Sequence, residues 1–285
     1  MARPVPSAAD ELSGPCRFDE APFPVVELMG QPVHALTEAE AIQYILHRLD
    51  EGRGGWVATH NLDHLRRLCR DRAFAELCAT ASLRTADGRP LLWAARLQGT
   101  PLPQRVAGSD LTWSLTQAAA GHGRSVFLLG GAPAPSPDQP STADRAAACF
   151  RSRFPALTVA GTLCPPFGFD RDPVLLADIA RRVAAARPDI VYVAVGSPKQ
   201  EQLIQQLLPA WPRAWYLGVG ISLSFVTGEV RRAPRWMQAA GLEWAHRLAQ
   251  EPGRLARRYL LEGIPFAVRL LTASAVRRLG SGRGS

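Results

Sequence analysis

Thr59-x-Asn61, Ala86-Asp87-Gly88, Leu129-Gly130-Gly131 and Val195-Gly196-Ser197-Pro198-Lys199 each close a short, mostly apolar run. The groups set at those run ends are a hydroxyl, a carboxamide, a carboxylate, glycine turns and an ammonium. Facing one crevice, they would suit proton transfer beside an anion. A carboxylate within hydrogen-bond reach of an attacking hydroxyl can take its proton. Burial in a dry pocket lifts its pKa from about 3.9 toward a useful range. Asp-Gly by itself is equally the mark of a turn.

The run over residues 190–195 reads as a strand buried on both faces of a parallel sheet. It stops at Gly196, and helical spacing resumes over 199–208, so the strand end opens onto a helix start. Open α/β sheets bind ligands at such places, because the first backbone N–H groups of the helix are unpaired and its dipole favours an anion. Lys199 is the only lysine in the chain. Its position suits a phosphate, and suits a solvated surface charge as well.

The same strand-then-helix pattern repeats along the chain. Strands are expected at 56–59, 82–86, 125–129, 157–160, 190–195 and 215–219. Helices are expected at about 38–49, 62–69, 90–97, 111–120, 142–154, 173–187 and 199–208. That alternation predicts an α/β fold with a largely parallel sheet flanked by helices. Residues 1–22, with prolines and no periodicity, are expected to be a disordered leader, and 23–230 the body. Over 231–285 the texture changes to a basic amphipathic helical appendage, where Leu242, Ala245, Leu248, Leu255 and Tyr259 share a helical face beside Arg247, Arg254, Arg257 and Arg258. Such a tail suits an anionic membrane surface, or packs on the body with its arginines in water.

The formal charge of +8 calls for an acidic partner: nucleic acid, anionic lipid or a phosphorylated small molecule. Five cysteines without a C-x-x-C pair suggest neither a disulfide framework nor a zinc knuckle, and Cys164 and His60 lack partners at ligand spacing. No signal peptide is evident, and no run is read as approaching the roughly 20 apolar residues of a spanning helix, so a cytoplasmic-side protein is expected. The charge and the rim groups leave three classes open: a transferase acting on a phosphorylated substrate, a nucleotide-cofactor oxidoreductase, and a basic binding protein without catalysis. No G-x-G-x-x-G follows a strand and no nucleic-acid recognition motif is present, which weakens the second class and the nucleic-acid form of the third.

Nine motifs in order decide among these. They are Thr59-x-Asn61, Ala86-Asp-Gly88-x-Pro90, Arg105-Val-x-Gly108-x-Asp110, Leu129-Gly-Gly131, Pro165-Pro-x-Gly168, Val195-Gly-Ser-Pro-Lys-Gln-Glu201, Gly218-Val-Gly220, Arg232-Ala-Pro234-x-Trp236 and Gly241-Leu-Glu-Trp244. Over about residues 26–262 the chain resembles the WecG/TagA/CpsF family, bacterial glycosyltransferases of family 26. The resemblance implies a Rossmann-like domain and an inverting, metal-independent hexosyl transfer without a cofactor. The donor would be a nucleotide diphosphate sugar, UDP-linked by preference. The acceptor would be a sugar on undecaprenyl diphosphate at the inner face of the plasma membrane, in surface-polysaccharide synthesis. It implies Asp87 as catalytic base with Thr59 beside it, and substrate contacts from Asn61, Arg105 and Gln200. The anion site of Gly130, Gly196 and Lys199 would join them. Arg247, Arg254 and Arg257 match appendage arginines expected to reach the diphosphate. The family also implies a tendency to form homo-oligomers off the membrane.

Overall fold

The computed structural model describes residues 14–136 and 138–281. Near the start, β1 (Val25–Leu28) and β2 (Gln31–His34) form an antiparallel hairpin. Met29 and Gly30 both take positive φ, 51° and 77°, the twist that a two-residue hairpin turn requires. The remaining strands are β3 (Gly55–His60), β4 (Leu83–Ala86), β5 (Ser125–Gly130), β6 (Thr158–Leu163), β7 (Ile190–Ala194) and β8 (Trp215–Gly218). They form one sheet in the order β4-β3-β8-β7-β5-β6, with every pair parallel. All six therefore end on the same rim.

The body's helices are α1 (Glu38–Asp50), α2 (Leu62–Leu68), α3 (Arg72–Ala79), α4 (Arg89–Leu97), α5 (Gly108–Gly121), α6 (Thr142–Arg153), α7 (Pro173–Ala186), α8 (Lys199–Ala210) and α9 (Ser222–Val226). Alternate strand residues sort all of them except α4 into two layers. Val57, Leu128, Tyr192 and Leu217 meet α1, α5, α6 and α9, while Ala58, Leu129, Val193 and Tyr216 meet α2, α3, α7 and α8. Strands covered on both faces must be apolar throughout, which is why β7 reads as one unbroken run. The α/β, Rossmann-like expectation holds.

Residues 1–13 of the expected leader lie outside the described residues, but 14–22 pack on the body. Cys16 is buried, donating its N–H to the Gly54 carbonyl at 2.7 Å and accepting from Ser82 Oγ at 2.5 Å. Phe18 stacks on His34 at 4.0 Å, with the Arg84 guanidinium over its ring.

The tail is not one long helix. α10 (Arg235–Ala240) ends at Gly241, with φ of 75°. α11 (Glu243–Gln250) then gives way to α12 (Pro252–Ala256), a π-helical turn over Arg257–Gly263 and α13 (Ile264–Ser281). That wide turn carries the helix through Pro265. The resulting helix, Arg257–Gly280, is 24 residues long with an 18-residue stretch of mean hydropathy 1.3, long and apolar enough to cross a membrane by length and composition. This corrects the expectation that no run approaches that length. Phe266 and Leu270 are nevertheless buried in a third core with α4 and the hairpin.

Candidate active site

Asp87 is placed by backbone bonds. Its N–H donates to the His60 carbonyl at 2.7 Å, one residue past the register pair His60–Ala86, so it sits at the carboxyl end of the edge strand β4. Val106 N–H donates to the Ala86 carbonyl at 2.9 Å, and Thr85 Oγ1 donates back to the Val106 carbonyl at 3.0 Å. These two bonds bring the neighbouring Arg105 to Asp87, where Nη1 donates to Oδ1 at 3.3 Å.

Arg105 is shared. Its Nη2 lies 2.5 Å from Asp110 Oδ2 and its Nη1 3.5 Å from Glu243 Oε2. A second guanidinium, Arg232, meets the same two acids, at 2.5 Å from Asp110 Oδ1 and 3.3 Å from Glu243 Oε1. Three carboxylates thus surround two guanidiniums. Burial pushes the Asp87 carboxyl up to about 6; Arg105 and Arg232 pull it down, while Glu243 and Asp110 push it further up. Such a group is ionised at neutral pH yet basic enough to accept a proton from a hydroxyl.

On the next strand Thr59 is buried, and opposite it a Cβ on Gly108 would come within 3.2 Å of Thr59 Oγ1. Asn61 caps α2: its Oδ1 accepts from the Asp63 and His64 N–H groups at 3.0 Å each, which leaves its amide N–H groups for a ligand. His64 Nδ1 lies 3.0 Å from the Thr59 carbonyl and so buttresses the turn from below. Gln200 is 3% exposed. Its Nε2 donates to Glu201 Oε1 at 2.9 Å, and its Oε1 accepts the Gly220 N–H at 3.0 Å. The Oε1 bond ties the start of α8 to the loop after β8, while the Nε2 bond stays within α8.

The glycine turns stand elsewhere on the rim. Gly130 has φ of 110°, and a Cβ there would lie 2.6 Å from the Ala194 backbone. Four strand steps separate β4 from β5, which at about 4.8 Å per step puts Gly130 roughly 19 Å from Asp87. Gly196, with φ of 80°, has open space where a Cβ would be. Lys199 Nζ is paired with Asp170 Oδ1 at 2.8 Å, so the structure does not bring it to Asp87. Arg247 lies one turn after Glu243 on α11, whereas Arg257 faces outward and pairs with Glu262 at 3.6 Å. The Arg254 side chain lies outside the described part.

Asp110, Arg232 and Glu243 join this site although the sequence reading gave them no role. Each stood inside a quoted motif, and the signal was there: ordered motifs are expected to converge in space. A groove of about 750 Å³ borders the cluster at Arg105 and Asp110 and is lined also by Arg89, Trp93, Trp113 and Phe154, but not by Asp87. Among the described residues, no group of three or more His, Cys, Asp or Glu is arranged to hold a metal ion.

The family model described as glycosyl transferase WecG/TagA/CpsF matches residues 26–280. The chain belongs to the WecG/TagA/CpsF family. It is 29% identical over 211 residues, 74% of this chain and 77% of the relative, to N-acetylglucosaminyldiphosphoundecaprenol N-acetyl-beta-D-mannosaminyltransferase of Bacillus subtilis (strain 168). To the protein of the same name from Bacillus spizizenii (strain ATCC 23059 / NRRL B-14472 / W23) it is 29% identical over 233 residues, 80% of this chain and 86% of that one. This WecG/TagA/CpsF member is a glycosyltransferase. The family match runs through α10–α13, so the helical tail belongs to the family's architecture.

Proposed function

We propose that this enzyme is an inverting, metal-independent transferase that moves a hexosamine from a UDP-linked donor to N-acetylglucosaminyl diphosphoundecaprenol. The pathway would be bacterial surface-polysaccharide synthesis, at the cytoplasmic face of the membrane. The observation that carries this reading is Asp87, a carboxylate raised to about 6 at the rim and met by Arg105. The relatives' names supply the acceptor and the sugar.

Asp87 takes the proton of the acceptor hydroxyl as its oxygen attacks the anomeric carbon. The bond from that carbon to the donor's diphosphate breaks on the opposite face, and the electron pair leaves with the nucleoside diphosphate. Thr59 and the free amide of Asn61 orient the sugar. Gln200 holds the rim loops that the donor crosses, and the glycine turns at Gly130 and Gly196 let backbone N–H groups approach its phosphates. Guanidinium forks can take the developing charge of the leaving group, a task that a divalent ion performs in other transferases.

The tail serves the lipid half of the reaction. Arg247, Arg254 and Arg257 are assigned to the acceptor's diphosphate and the anionic surface, where each basic residue contributes about 1 kcal/mol. Burial of Phe266, Leu270 and Ser274 on the body favours peripheral attachment over spanning. Lys199, held by Asp170, is given no part in the chemistry.

The test is transfer from a panel of UDP- and GDP-sugars to a short-chain polyprenyl diphosphate N-acetylglucosamine, with EDTA present and Asp87→Asn run beside wild type. One UDP-sugar should give product that survives EDTA and is lost in the variant. Activity abolished by EDTA would overturn the metal-independent mechanism, and an active Asp87→Asn would remove Asp87 as base.

A further inference from the structure

We propose that Glu243, brought into the rim by the C-terminal tail, is a positioning residue for the catalytic base: together with Asp110 it forks Arg105 and Arg232 and thereby fixes how much of Arg105 reaches Asp87. The inference rests on Asp87 being the base. It adds a residue, and a reason for the tail to enter the site.

The geometry is a closed ring. Asp110 and Glu243 each touch both guanidiniums, through contacts of 2.5, 3.5, 2.5 and 3.3 Å, and Asp87 hangs from the ring by one 3.3 Å contact. A guanidinium offers a planar fork, and a carboxylate on each side of that fork sets its orientation. Arg105 already spends Nη2 on Asp110 and shares Nη1 between Asp87 and Glu243. Without Glu243, the shared Nη1 would swing wholly to Asp87. Arg232, whose Nη2 is buried with no hydrogen-bond partner, would lose the contact that aims it inward.

The charged groups facing Asp87 come from four places: Arg105 in the loop before α5, Asp110 on α5, Arg232 before α10 and Glu243 on α11. Three are held by the body or the segment just after α9, and Glu243 alone of the four stands on a helix beyond Gly241. The two acids oppose ionisation of Asp87 and the two arginines favour it. Glu243 therefore keeps the base from being over-stabilised as a carboxylate, which would leave it a weak proton acceptor.

The experiment measures kcat and kcat/KM against pH for the full-length enzyme, with UDP-N-acetylmannosamine and the short-chain acceptor, for wild type, Glu243→Gln, Glu243→Asp and Asp87→Asn. In Glu243→Gln the acidic limb of kcat/KM should move to lower pH by about half a unit or more. The plateau kcat should fall about tenfold, donor KM should change less than about threefold, and Glu243→Asp should recover part of the loss. A limb that superimposes on wild type overturns the proposal whatever happens to kcat, because a purely structural role would cost stability and leave the titration of the base alone. If Glu243→Gln does not fold, Asp110→Asn should displace the limb in the same direction, and an unmoved limb there overturns the proposal equally. An inactive Asp87→Asn beside an unmoved limb sinks this inference alone, whereas an active Asp87→Asn removes the base assignment and this inference with it.

Discussion

Asp87 owes its position to three bonds that involve no side chain of its own: its N–H to His60, Val106 to Ala86 and Thr85 to Val106. Replacing the carboxylate by an amide should therefore leave the site's shape intact. Asp87→Asn is expected to lower kcat by about 10²-fold or more with melting temperature unchanged or raised, measured by transfer assay and thermal denaturation. The sign on stability follows from the raised pKa: between about 3.8 and 6 the folded state holds a proton that the unfolded chain releases, so this group's contribution to stability falls as pH rises through that window. The same shift sets the activity profile. In wild type kcat/KM should climb as pH rises through about 6 and then level off, and a limb centred near 4 would mean an unperturbed carboxylate. At this scale the sequence was informative about type and uninformative about company. An Asp after a short strand was legible. Glu243, 138 residues from Arg105 along the chain, was not, because periodicity speaks only of neighbours within one element.

Among the elements, the rim works because loops of different strands are locked at fixed heights. Gly130 is the most constrained of them, with φ in the left-handed region and the Ala194 backbone 2.6 Å from where a Cβ would be. Gly130→Ala should destabilise the fold by about 2 kcal/mol or more and weaken donor binding more than it slows chemistry, as read by denaturant unfolding and by KM. Equal KM in a folded variant would detach this turn from the donor. Strand and helix alternation predicted the six strands of the large sheet and seven of the body's helices to within a few residues, since each carries its own period, but not α3 or α9. The hairpin β1–β2 was not among the expected strands, and the packing of Cys16 and Phe18 escaped because it depends on distant partners, Gly54, Ser82 and His34.

For the molecule as a whole, charge and apolar surface converge on the tail. Arg258 reaches Asp63 at 2.7 Å and Arg66 reaches Glu262 at 2.7 Å, fastening the π turn to α2, while Leu261, Val268, Val276 and Leu279 remain exposed. Deleting the chain after Gly241 should lower both turnover and retention on anionic vesicles, and retention of the full chain should weaken as salt rises. Undiminished turnover in the truncate would separate the tail from catalysis.

The sheet order carries one more consequence, for synthesis of the chain. β8 lies between β3 and β7, yet it is the last strand made. Until Trp215–Gly218 leaves the ribosome, β3-β4 and β7-β5-β6 are two half-sheets, each with an open edge of unpaired backbone groups and apolar faces. The final strand is the seam that joins them, so each half keeps an unpaired inner edge, of the kind that invites wrong pairing, until β8 has been made.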